Sequence, residues 1–132
     1  MIFVDSSFWV ASALPRDAHH AQAAALMASL SDQPLITSNH VRGETWTFLR
    51  RRSGHRAAAA FLEALERSRR MSVVHVSTDL ETAALTWLRH HDEREYSFVD
   101  ATSFALMRSM KIRKALAFDG DFTAAGFAEL RP

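Results

Sequence analysis

The chain has 132 residues, 48% of them apolar, which suits one packed core and leaves little room for a second, so residues 1–132 read as a single domain. Lysine and arginine number 16 against 15 acids, a net charge of +1, and the overall balance therefore does not announce a polyanionic partner. There is no cysteine, which excludes disulfides, zinc–thiolate centres and thiol catalysis; without a basic-then-apolar leader or an apolar run near the ~20 residues that span a bilayer, a soluble, cytoplasmic protein is expected.

Met1 to Val4 is a short apolar run ending at Asp5, as in a strand buried on both faces of a parallel sheet. Asp5-Ser6-Ser7 caps a helix over Phe8 to Leu14, and Pro15 stops it. An alanine-rich helix is predicted over 18–30, then a strand Leu35-Ile36-Thr37 after Pro34. Ser38 and Asn39 cap a helix over 40–52, which ends near Ser53-Gly54. A further helix occupies 55–69, and the β-branched stretch Ser72 to Val76 reads as a strand. Thr78-Asp79-Leu80-Glu81 has the form of a capping box, opening a helix to about residue 90. After a polar loop, Ser97-Phe98-Val99-Asp100 opens a helix to about Met110; Ala115 to Phe118 is a strand, Asp119-Gly120-Asp121 a turn, and Phe127 to Leu130 an edge strand. Strands alternating with helices predict an α/β domain with a mainly parallel sheet.

In such a sheet, ligands bind outside the carboxyl ends of the strands near a switch in strand order. Asp5 and Asp119 fall at two such ends. Each also has a purely local use, Asp5 as a helix cap and Asp119 with Gly120 as a turn former. Glu44 is spaced three after Val41 and four before Phe48, which sets it on an apolar stripe where a carboxylate is costly unless paired with an arginine or bound to a metal. Asp100 is spaced four before Phe104, and Ser97-x-x-Asp100 is itself a capping box, a role compatible with metal binding. If the topology gathers these four acids, they cannot all stay ionised unaided. A hard divalent cation such as Mg²⁺ or Mn²⁺ resolves the conflict with oxygen ligands, and phosphodiester hydrolysis by an activated water is the chemistry it serves.

Taken together, Ile2-Phe3-Val4-Asp5-Ser6-Ser7, Thr37-Ser38-Asn39 leading to Glu44-Thr45 and Phe48-Leu49, Tyr96-Ser97-Phe98-Val99-Asp100-Ala101, and Ala117-Phe118-Asp119 with Phe122 form an ordered set spread over nearly the whole chain. The set resembles PIN-domain ribonucleases, in particular the VapC-type toxins of type II toxin–antitoxin pairs. The resemblance implies a three-layer α/β/α sandwich, dependence on Mg²⁺ (or Mn²⁺) and an RNA substrate. It implies metal coordination by Asp5 and Asp100, with Glu44 and Asp119 completing the acidic pocket, Asp121 able to share or take the fourth place, and Ser7 orienting groups near Asp5. It also implies a homodimer and a small antitoxin partner. The alternative is a catalytically silent PIN-like module that only binds a partner.

Other chemistries lack their patterns. The 7 histidines include the adjacent pairs His19-His20 and His90-His91, which diverge on a helix, and no H-E-x-x-H spacing occurs, so they read as surface residues. Ser6 and Ser7 have no G-x-S-x-G elbow, and the 4 glycines form no phosphate loop. A phosphatase with a nucleophilic aspartate wants a second acid two residues beyond the first, where Ser7 stands; a phosphoacceptor receiver domain wants an acid after the third strand, which ends at Val76-Ser77. Phe8, Trp9, Trp46, Phe48 and Trp87 are expected in the core. The arginine cluster Arg50-Arg51-Arg52 is either a solvated helix end or a phosphate contact.

Overall fold

In a computed structural model describing residues 1–132, five strands run parallel in one sheet that the chain visits out of order. The elements are β1 (Ile2–Val4), α1 (Ser6–Ala13), α2 (His20–Ser29), β2 (Leu35–Ser38), α3 (Asn39–Ser53), α4 (His55–Arg67), β3 (Met71–Val74), α5 (Thr78–Arg89), α6 (Phe98–Met110), β4 (Lys114–Leu116), α7 (Asp121–Ala124) and β5 (Ala128–Glu129). The sheet order is β3-β2-β1-β4-β5, with Phe3 opposite Ile36 on one side and Ala115 on the other. From β1 the chain winds outward through β2 to β3, then returns to lay β4 on the opposite side of β1. The strand order therefore switches between β1 and β4, and a crevice opens beyond their carboxyl ends.

The central strands are mostly apolar because both their faces are covered, with buried Thr37 and Ser38 closing β2. Phe3, Ile36 and Ala115 point into one cluster with Phe104 and Met107 of α6, with Trp87 of α5 against it. Ile2, Val4, Leu35 and Leu116 point the other way, onto Phe8, Ala11 and Leu26 of α1 and α2. The α/β/α sandwich follows directly from this alternation. Helix α3 links layers: Val41 joins the first cluster, whereas Leu49 packs with Val10, Phe61 and Leu65 in a third. Gly54, at φ +94°, lets α3 stop and α4 start without a connecting loop. No helix is long and apolar enough to cross a membrane.

Several boundaries differ from the sequence reading, each for a local reason. Ser77 rather than Thr78 caps α5, its hydroxyl accepting the Leu80 N–H at 3.2 Å. The strand expected over 72–76 is Met71–Val74, since the Val76 N–H turns to the Asn39 side chain. The strand expected over 115–118 stops at Leu116, because the Phe118 N–H donates to Ser7 instead of to a neighbouring strand. Helix α2 starts at His20, so His19 lies in the turn before it and not on a helical face.

Phe104 is fully buried and touches four rings, those of Trp87, Tyr96, Phe122 and Phe127, at centroid separations of 5.0 to 5.8 Å. It ties α5, α6, α7 and the loop before α6 to one point. Phe104→Ala should cost about 3–5 kcal/mol, measured as a lower urea midpoint with an unchanged m-value.

Candidate active site

Asp5 is the first residue beyond β1 and the N-cap of α1. Its backbone N–H still reaches Leu116 O of β4, which fixes the carboxylate at the switch point. Its two oxygens are used differently. Oδ2 accepts the Ser7 N–H at 3.2 Å and the Ser7 hydroxyl at 2.7 Å, while Oδ1 is buried with no hydrogen-bond partner. A buried lone carboxylate oxygen is costly. The cap therefore uses one oxygen of Asp5 and leaves the other without a partner.

The Ser7 hydroxyl donates to Asp5 and accepts the Phe118 N–H at 3.0 Å. One hydroxyl thus couples the end of β1 to the end of β4, next to Asp119. Asp100 is buried at the third position of α6, where the capping box is complete: Ser97 Oγ accepts the Asp100 N–H and Asp100 Oδ2 accepts the Ser97 N–H, both at 2.9 Å. Asp119 and Asp121 flank Gly120, whose φ of +83° makes the sharp turn that carries both acids. Asp100, Asp119 and Asp121 each offer an oxygen within 4.8 Å of the others.

Burial is the main force on these groups, and mutual repulsion adds to it. Asp5 is pushed up to about 7, first by desolvation and then by the charges of Asp119 and Asp100, against the lowering effect of Ser7. Asp100 is raised to about 6, by desolvation and by Asp121 and Asp119. Asp119 is also raised to about 6; its side chain opens to solvent at the rim, yet desolvation of its carboxyl leads, followed by Asp121 and Glu129. Asp121 is partly neutralised by Arg94, whose guanidinium lies 2.9 Å from Oδ1.

Glu44 sits apart from this knot. Its Oε1 accepts the Ser6 hydroxyl at 2.6 Å, and it lines the same cavity as Ser7 and Asp119. The expectation that Glu44 shares a core stripe with Val41 and Phe48 does not hold. The buried stripe of α3 is Val41, Thr45 and Leu49, while Phe48 is 42% exposed. A helix advances 100° per residue, so Glu44 and Phe48 form the adjacent stripe, facing the cavity rather than the core. No arginine pairs with Glu44; its partner is the serine.

The cavity has residues that sequence reasoning passed over. His19 stacks on Phe118 with centroids 4.6 Å apart, and Arg131 covers the same ring at 5.0 Å. His19 was grouped with His20 as a surface pair, yet it lines the acid cavity while the His20 ring turns to Ala11 O at 2.7 Å. Arg94 and Glu129 were also missed; Glu129 accepts the Gly120 and Thr123 N–H groups and so holds the acid turn. Their partners are too distant in sequence for any local pattern to pair them.

The donor set fits a hard divalent cation: carboxylates only, one buried oxygen without a partner, and three groups driven above their ordinary range by crowding and burial. Without a cation, the folded state binds more protons than the unfolded chain between about pH 4 and pH 7, so stability must fall as pH rises through that window. In EDTA the melting temperature should drop from pH 4 to pH 7 and then level off. Asp5→Asn should flatten the slope and raise stability at pH 7 by on the order of a few kcal/mol. Part of the slope remains from Asp100 and Asp119; a slope unchanged by the substitution would place the strain elsewhere.

The family model described as PIN domain matches residues 2–128. The 23S rRNA-specific endonuclease VapC20 of Mycobacterium tuberculosis, from strains CDC 1551 and H37Rv, is 59% identical over 132 residues, covering 100% of this chain and 99% of the relative. A crystal structure of that organism's VapC20, described as a sarcin–ricin loop cleaving toxin, superposes with a TM-score of 0.93 at 59% identity and full coverage of both chains. FitAcB from Neisseria gonorrhoeae matches with a TM-score of 0.69 at 16% identity over 98% of this chain and 96% of that one, a likeness of fold alone. With its sheet order, its acid cavity at the β1/β4 switch and this full-length similarity, the chain belongs to the PIN-domain family, in its VapC-type branch.

Proposed function

We propose that this protein is a metal-dependent endoribonuclease, the toxin of a toxin–antitoxin pair, and that it cleaves 23S rRNA as its VapC20 relative is named for doing. The observation that carries the reading is Asp5 Oδ1: a buried, unpartnered carboxylate oxygen repelled by the charges of Asp119 and Asp100, beside the close group Asp100, Asp119 and Asp121. Such an arrangement is unfavourable unless a cation completes it.

Asp5, Asp100 and Asp119 are the residues proposed to hold a Mg²⁺ ion, or Mn²⁺ in its place, with Glu44 beside them on the cavity wall. Asp119 is preferred to Asp121 as the fourth acid because Arg94 already neutralises Asp121, while Asp119 lines the cavity. The ion would supply positive charge for the phosphate oxygens and acidify the attacking water. The protein's own residues do the positioning. Ser7 locks one oxygen of Asp5 and leaves the other free. The Ser97 box fixes Asp100 through Oδ2. Ser6 holds Glu44 where it can accept a proton from water beside the scissile phosphate. Water adds to phosphorus and gives its proton to Glu44, while the ribose oxygen leaves and takes up a proton from solvent, so the phosphodiester is hydrolysed.

On this reading the enzyme acts in the cytoplasm as a homodimer, and a small antitoxin protein restrains it. The silent-module alternative keeps the fold without the chemistry, and the complete acid set speaks against it. The test is cleavage of a 23S rRNA fragment carrying the sarcin–ricin loop, with Mn²⁺ or with EDTA. Cleavage should require the ion, and Asp5→Asn and Asp100→Asn should reduce it at least ~100-fold while the proteins stay folded. Full activity in either variant, or in EDTA, would remove the metal mechanism.

A further inference from the structure

Phe48 is an oddity of α3: a large aromatic left 42% exposed on a wall of the acid cavity. It is also the meeting point of three hollows. One is the acid cavity, about 500 Å³, which Phe48 shares with Glu44, Asp119 and the stacked pair His19 and Phe118. The second runs along α3 past Glu44 and Thr47 to Arg51 and Arg52. The third passes between Arg16 and Arg52. The Arg52 guanidinium lies 5.9 Å from the Phe48 ring centre. Arg51 and Arg52 make no ion pair with any acid of the chain.

The charge therefore changes sign along one continuous surface: acids at the cavity end, unpaired guanidinium groups at the other, and an exposed ring between them. A nucleic-acid strand has matching parts. Its scissile phosphate needs a cation held by acids, its flanking phosphates need arginines, and an unstacked base needs an aromatic face. An apolar partner peptide would find the ring useful, but it gives no reason for two guanidinium groups without an acidic partner, one of them over the ring.

We propose that Phe48, Arg51 and Arg52 form a subsite for a nucleotide flanking the cleaved bond, in which an unpaired base stacks on Phe48 while Arg51 and Arg52 take the adjoining backbone phosphates. This rests on the ribonuclease reading above and adds to it a determinant of substrate choice: RNA with an unpaired base beside the cut is preferred over continuous duplex. Arg50, the third member of the cluster, lines none of these hollows and is left out.

The test uses the full chain with Mn²⁺ and two RNAs of equal length, one with the sarcin–ricin loop and one a continuous duplex. Phe48→Ala should raise KM for the loop RNA roughly 5- to 100-fold, the range for losing one stacked base, with a much smaller change in kcat. Phe48→Tyr should restore it. Arg51→Gln and Arg52→Gln should each lower the slope of log KM against log salt by about 0.7. Arg50→Gln should leave the slope as it was. Thermal melts of each variant verify folding. If wild-type protein cleaves but KM and salt slope are unchanged in all the Phe48 and Arg51/Arg52 variants, the subsite is overturned and the groove falls to a protein partner. If wild-type protein does not cleave with Mn²⁺, it is the ribonuclease reading that fails, and binding of the loop RNA by fluorescence anisotropy decides the subsite: a Phe48→Ala loss of affinity supports it, and equal affinity overturns it.

Discussion

A carboxylate buried at the end of the central strand, satisfied on one oxygen and bare on the other, is the constraint around which this molecule is organised. Asp5 cannot move: its backbone belongs to the β1–β4 seam, and its outer oxygen is held by the Ser7 hydroxyl. That hydroxyl also takes the Phe118 N–H, so the first and fourth strands end together. Every other acid of the site is measured from this fixed point. The cost of burying Asp5 is not repaid within the chain, and it is this imbalance that gives the cavity an appetite for positive charge.

Charge is dealt with in two ways around the cavity. The inner acids stay unpaired and crowd one another, whereas the outer ones are tempered: Arg94 meets Asp121, Ser6 meets Glu44, and Arg131 meets Glu129. The gradation separates acids free to bind a cation from acids that shape the rim. It also explains why Asp121, although within reach of Asp100 and Asp119, differs from them in character. Position sets this division: Asp5 stands at the end of β1 and Asp100 in the first turn of α6, whereas Asp121 and Glu129 each have an arginine within reach.

The parallel sheet was legible because its causes are local, while the three layers followed from the family resemblance. A buried central strand has to be apolar at every position, and Ile2-Phe3-Val4 and Leu35-Ile36 are; Ser97 and Asp100 announce their helix start by spacing alone. Glu44 was noticed for a reason that turned out to be mistaken. It looked misplaced among core residues because Phe48 was counted as core, and the exposure of Phe48 moves both to the cavity side. His19 was passed over because the helix was begun two residues early, which turned a turn residue into half of a surface pair. Arg94 and Glu129 were beyond reach, since their partners are chosen by the closing of β4 and β5 around α7 and not by any neighbour in the chain. The parallel topology brought the acids to one end of the sheet, and the family resemblance supplied the roles proposed for them.

The last strand, β5, is a two-residue edge, yet Glu129 within it reaches back with both carboxylate oxygens to the amides of the Gly120 turn. The sheet's weakest member is thereby the buttress of its most charged corner. Fraying of that edge, inconsequential in most folds, would here remove the acceptors of the Gly120 and Thr123 amides and with them the support of the turn that carries Asp119.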